Sequence, residues 1–226
     1  MQTAADRLGV ADFGDENALV GNYLIYPRRV VLEFIKIAFS QPNFFTPVSV
    51  GASETDANPF IYKELPAGTL DPKSRLVVVD YGSEHTVRGE GRPRVVVGRS
   101  SGTFSHASLM ARTQRGFLGN GPERSFELFE TSLVIRCVGR SKIESELLGL
   151  SVVTLLTFFS GQLREKSRLH HIGSPTVGET QPEKFDSEAE QYTTQITLPL
   201  SQTVGWLKSA ITDTVLADVS ARIQEI

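Results

Sequence analysis

The hydrophobic pattern changes period once between Ser125 and Lys166, and the rest of the chain is organised around that change. Phe126, Leu128, Phe129, Leu133, Val134, Ile135, Cys137 and Val138 mix aromatic, β-branched and other apolar side chains, with no Gly or Pro until Gly139. This composition predicts a strand. Glu127, Glu130, Thr131, Ser132 and Arg136 alternate imperfectly with them, so one face of the strand is buried and the other partly covered. Ser141 then precedes Glu144 by three residues, the spacing of a capping box. The hydroxyl accepts an orphan N–H at the start of a helix and the carboxylate returns to the Ser141 N–H. Ile143, Leu147, Leu148, Leu150, Val152, Leu155, Leu156, Phe158 and Phe159 follow at helical spacing and predict one broad apolar face. Ser160-Gly161 is the expected stop.

Upstream, Leu19, Tyr23, Tyr26, Val30, Phe34 and Ile37 form a helical stripe, with Leu24, Val31, Ile35 and Ala38 beside it. Pro27 interrupts it, either as a kink or as the first turn of a second helix, and the pattern favours a helix over 28–40. Residues 1–15 read as a flexible arm. Residues 41–74 are rich in Pro, Gly, Ser, Asn and Asp and read as a long surface excursion, with short strands at 47–50 and 60–65. Residues 75–81 and 94–98 are short Val-rich strands, and 99–124 is a second long loop. After the central helix come a short strand at 169–172, an acidic loop over 176–190, and a clean alternating strand from Tyr192 to Leu200. Its Ile196, Leu198 and Leu200 face one side; Thr193, Gln195 and Thr197 face a solvated or partner-facing side. Trp206 and Leu207 continue it past a bulge at Gly205. The sum is a single α+β domain over 1–226. It has an antiparallel or mixed sheet of about five strands, a long helix and an N-terminal helix packed on one face, and large loops.

Composition narrows the function classes. The chain has 226 residues and a net charge of −3, so no global charge favours nucleic acid or an anionic membrane. One Cys, Cys137, excludes a disulfide scaffold and a Cys-based zinc site. The N-terminus lacks the basic and apolar regions of a signal peptide. The apolar run over 147–159 is broken by Gly, Ser and Thr and reads as too short and too polar to span a bilayer. Together these predict a soluble protein made in a reducing compartment.

The sharpest catalytic candidate is Gly98-Arg99-Ser100-Ser101-Gly102, which matches G-x-S-x-G after a Val-rich strand, with His170 and His171 downstream. A serine hydrolase using Ser100 needs a strand–turn–helix elbow there, and Thr103-Phe104-Ser105-His106 is a poor helix start. His170 and His171 are neighbours on a strand and point to opposite faces, while His85 and His106 are isolated, so no metal-ligand spacing exists. Phosphate-cradling glycine motifs are absent, and no cofactor is expected. The largest charge feature is local: between Arg88 and Arg124 stand seven Arg and two acids. The acidic 176–190 loop is its natural counterpart, and such segregation suits head-to-tail assembly of identical subunits.

The order of elements resembles the tail terminator (tail-to-head joining) proteins of long-tailed bacteriophages. The resemblance rests on an N-terminal helix, a strand ending VIRCVGRS, the capped helix ESELLGLSVVTLLTFF, a short strand, an acidic insert and the strand QYTTQITLPL. It covers about 126–207, plus the helix at 16–40 in position. It implies a structural virion protein without catalytic activity, made in the host cytoplasm and placed in the tail and neck. Its subunits form a homohexameric ring that caps the tail tube, stops its polymerisation and meets the head connector, while DNA passes through the lumen without sequence-specific binding. Another neck or head-completion role in the same particle is the nearest alternative. Arg92, Arg94, Arg99, Arg112 and Arg115 are the expected contacts with a neighbouring subunit or tube ring. Glu183, Asp186 and Glu188 are the expected complementary side or a DNA-repelling lumen.

Overall fold

A computed structural model describes residues 25–41, 60–66, 69–86, 91–105, 123–167, 169–183 and 190–208. In chain order the elements are α1 (Tyr26–Ser40), β1 (Val77–Asp80), a 3₁₀ turn (Tyr81–Thr86), β2 (Arg94–Ser105), β3 (Glu123–Gly139), α2 (Lys142–Lys166), β4 (Leu169–Ile172), β5 (Thr176–Val177), β6 (Gln181–Glu183) and β7 (Gln191–Lys208). The strands form one mixed seven-stranded sheet in the order β1-β2-β3-β7, with β4, β5 and β6 pairing in turn along the outer edge of β7. The pair β1–β2 is parallel and the others are antiparallel.

Both helices cover one face, as the α+β reading expects. Leu133, Ile135 and Cys137 of β3, Val95 and Val97 of β2, and Ile196, Leu198 and Leu200 of β7 are buried beneath them. The helices contribute Val31, Ile35 and Ala38 from α1 and Leu148, Val152, Leu155 and Leu156 from α2. Phe34 and Phe159 meet across the two helices with ring centroids 6.0 Å apart. Pro27 sits in the first turn of α1, where its missing N–H costs nothing.

Several elements differ from expectation. Glu144 accepts its hydrogen bond from the Arg140 N–H at 2.6 Å, one residue before the expected partner, because the Gly139–Arg140 corner folds back over the first turn. Ser141 caps as expected, accepting from the Glu144 N–H at 3.2 Å. Gly161 does not stop α2. The helix continues because Leu163 still buries against the core, and it ends at Ser167, whose N–H bonds the Leu163 carbonyl. The ladder between β3 and β7 is unbroken through Gly205, which pairs with Phe126, so no bulge occurs there.

Part of each expected loop is packed. Tyr62 N–H donates to the Phe39 carbonyl at 3.0 Å, and Phe60 and Tyr62 are buried against α1. Residues 176–183 supply β5 and β6, which raises the sheet from about five strands to seven; runs of two and three residues are too short to show a period in the sequence. The expected strand at 47–50, the arm over 1–15, and Asp186, Glu188, Arg112 and Arg115 lie outside the described residues.

The apolar surface of α2 is also divided differently. Leu148, Val152, Leu155, Leu156 and Leu163 face the sheet, whereas Ile143 (69 % exposed), Leu147 (50 %), Leu150 (57 %) and Phe158 (75 %) lie on the opposite side. At 25 residues, α2 is longer than the expected apolar run, and its Lys142–Glu165 portion has the length and apolar content to cross a bilayer. A core helix passes the same test, and one side of this helix is packed on the sheet.

Cys137 is fully buried between β3 and the helices, and burial pushes its thiol well above the ordinary range. A buried neutral thiol is inert. In native protein at pH 8, a thiol-specific chromogenic reagent is expected to react only at the rate of unfolding, and in denaturant within seconds. Fast labelling of folded protein contradicts the packing described here.

Candidate functional site

The sheet face opposite the helices carries the polar chemistry of the described structure. Arg94 on β2 and Arg136 on β3 point to this face because each is offset by one residue from core-facing neighbours, Val95 and Cys137. The 3₁₀ turn Tyr81–Thr86 places Glu84 against both arginines. Glu84 Oε2 accepts from Arg136 Nη1 at 3.1 Å, and Glu84 Oε1 lies 3.8 Å from Arg94 Nε. Glu84 and Arg94 are each 1 % exposed. From β6, Glu183 closes the other side of Arg136, accepting from Nη2 at 2.7 and 2.6 Å, and takes the Thr193 hydroxyl at 2.6 Å. Arg94 Nη2 donates to Gln191 Oε1 at 2.7 Å. Two guanidinium groups and two carboxylates thus form one chain of charge-assisted contacts that ties β2, β3, β6 and β7 to the turn.

Beside this network, an open groove of about 470 Å³ lies between the 176–183 segment, paired along the edge of β7, and the exposed β7 side chains. Arg136, Glu183, Thr193, Gln195 and Thr197 line it. These include the three β7 residues read from alternation as the solvated or partner-facing side.

The structure separates the expected interface residues. Arg94 is on a strand and not on a basic loop, and it is buried in the network; its charge is used inside the subunit. Arg92 donates from Nη1 to the Ser74 carbonyl at 3.0 Å. Arg99 belongs to β2. Glu183 is engaged by Arg136. Glu84 and Arg136, which organise this face, were not singled out by the sequence. The available signal was Arg136 itself, a lone cation amid the apolar residues of β3.

The G-x-S-x-G segment forms no elbow. Strand β2 runs straight through it to Ser105, and the ladder slips between Arg99 and Ser101, leaving Ser100 as the extra residue of a β-bulge. Gly102 is explained by packing, because a Cβ there would run into the ring of Phe129. His170 and His171 are both exposed, at a second slip in the β4–β7 ladder, and not on opposite faces. Among the described residues no three metal-ligating side chains stand together.

One further feature concerns backbone alone. Every residue of β3 pairs with β7, from Glu123↔Lys208 to Gly139↔Tyr192. Yet β2 stops at Leu128 on one side and β4 at Gln202 on the other. Residues 123–127 and 204–208 therefore project as a two-stranded ribbon whose outer edges have no partner among the described residues. No known protein-family model and no curated protein matches the chain.

Proposed function

We propose that this chain is a ring-forming structural subunit of the tail-terminator kind, which caps a phage tail tube, stops its growth and joins the tail to the head connector. The observation that carries the reading is the projecting β3–β7 ribbon. Among the described residues its outer edges have no partner; a two-stranded ribbon is marginal in water, and unpaired edges are templates for further pairing. A subunit that offers such edges beyond a rigid, helix-backed sheet is suited to head-to-tail contact with copies of itself and with the end of a tube. The polar β7 face and its groove supply a second, wettable surface, as a subunit with several neighbours needs. The order of elements over 126–207 supports the same reading. The arginine-rich segment outside the buried network, with Arg99, Arg112 and Arg115, and the acidic Asp186 and Glu188 remain the proposed charged contacts.

The test is assembly. Purified protein mixed with tail-tube protein is imaged by negative stain, and the mass of the tube-bound particle is measured alongside. Six-fold rings of about 150 kDa, from chains of 24.8 kDa, seated on tubes of arrested length are expected. Tubes that lengthen unchecked with no ring at their ends overturn the proposal. Covalent labelling of Ser100 by a serine-reactive phosphonate overturns it in favour of a hydrolase.

A further inference from the structure

We infer that the exposed side of α2 is a self-complementary contact through which two copies of this chain pair, helix against antiparallel helix. This stands apart from the ring reading, because a two-fold contact does not close a six-fold ring; either can fail with the other intact.

The stripe runs Ile143, Leu147, Leu150, Thr154, Thr157 and Gly161, with steps of four, three, four, three and four residues, and Phe158 stands beside Thr157. That alternation keeps one narrow band of the helix in line, as in a coiled-coil seam. Read backwards, the sequence of steps is the same, so a reversed copy meets it in register. The side chains then complement one another by size. Ile143 lies opposite Gly161, where a Cβ would meet nothing within 4 Å. Leu147 lies opposite Thr157, with Phe158 flanking it, and at the centre Leu150 lies against Thr154. The Thr154 hydroxyl is already spent on the Leu150 carbonyl at 2.7 Å, so the residue presents its methyl group. Antiparallel pairing also sets the helix dipoles head to tail.

The scale fits a stable dimer. Ile143, Leu147, Leu150 and Phe158, at 50–75 % exposure, together expose roughly 400–500 Å² of apolar surface, the size of the largest patch on an ordinary monomer. With Thr154, Thr157, Gly161 and the polar rim at Glu146 and Gln162, two such helices approach the ~800 Å² per partner of a standard interface. A bilayer is the competing occupant. It has no use for the large-against-small order, and it would require the charged rim to leave water.

Light scattering after size exclusion is expected to give twice the chain mass of 24.8 kDa for the wild type. The double variant Leu150→Glu, Phe158→Glu is expected to give a single chain with unchanged circular dichroism and melting temperature, since both positions are exposed. Disulfide trapping keeps the test independent of folding. An equimolar mixture of Leu150→Cys and Thr154→Cys chains is expected to cross-link on mild oxidation, while Leu150→Cys alone does not, because its own copy lies a helical turn away; native Cys137 is buried and silent. A monomeric wild type, cross-linking of Leu150→Cys alone, or a six-copy particle that falls to single chains in the double variant overturns the two-fold contact. Flotation with phosphatidylglycerol vesicles that the double variant abolishes overturns it in favour of a membrane.

Discussion

Arg136→Ala is expected to destabilise the fold by about 3–5 kcal/mol, the cost of breaking a buried ion pair by removing one partner. Its guanidinium bridges Glu84 and Glu183, and without it the Glu84 carboxylate, 1 % exposed, loses the charged donor that reaches Oε2 at 3.1 Å. Glu183→Gln is the contrast. Its side chain is 34 % exposed and water can replace part of what is lost, so about 1 kcal/mol or less is expected. Urea titration of the two variants checks the difference. The asymmetry matters more than either value: equal losses contradict a network centred on Glu84.

Gly139→Ala is expected to cost about 3 kcal/mol, at the upper end for forcing atoms into a close-packed site. A Cβ at Gly139 would lie 2.7 Å from the Ser145 amide nitrogen and 3.1 Å from Glu144 C and Ser145 Cα. These are backbone atoms of the first turn of α2 and cannot rotate away. The helix start is further pinned by Ser145, whose hydroxyl donates to the Cys137 carbonyl at 2.8 Å. The corner between β3 and α2 has no slack. Gly161→Ala, in the same helix but with no atom of its own chain within 4 Å of an added Cβ, is expected to stabilise the single-chain Leu150→Glu, Phe158→Glu background by about 0.5–1 kcal/mol through helix propensity alone. Thermal melts of the two variants should shift in opposite directions, and a shared sign refutes the packing at Gly139.

These residues show where sequence reading works and where it stops. The strand β3 and the helix α2 were legible because each holds one period over many residues. The division of α2 was not, because a helix apolar all round contains no polar contrast to say which side meets the sheet. The continuation of β2 through Gly98 and Gly102 was hidden by turn-forming residues, whose reason, a bulge at Ser100 and the ring of Phe129, belongs to tertiary packing. The charge network was out of reach because its members are far apart in the chain, Arg94 and Gln191 by 97 positions. The polar side of β7, by contrast, was written in its alternation of Thr193, Gln195 and Thr197.

The central ladder has a consequence for how the chain is made. Residues of β3 pair with partners between 53 positions away, for Gly139 and Tyr192, and 85 positions away, for Glu123 and Lys208. Distant pairing slows folding, because the entropy of closing the loop is lost before the contacts form. During synthesis, β3 and α2 leave the ribosome well before β7 exists to cover the strand edge. For that interval the nascent chain presents an open apolar strand beside a helix that is greasy on every side, the kind of surface that aggregates or is held by chaperones. Yield in the host cell should therefore depend on translation speed across 140–208 more than on the stability of the finished domain.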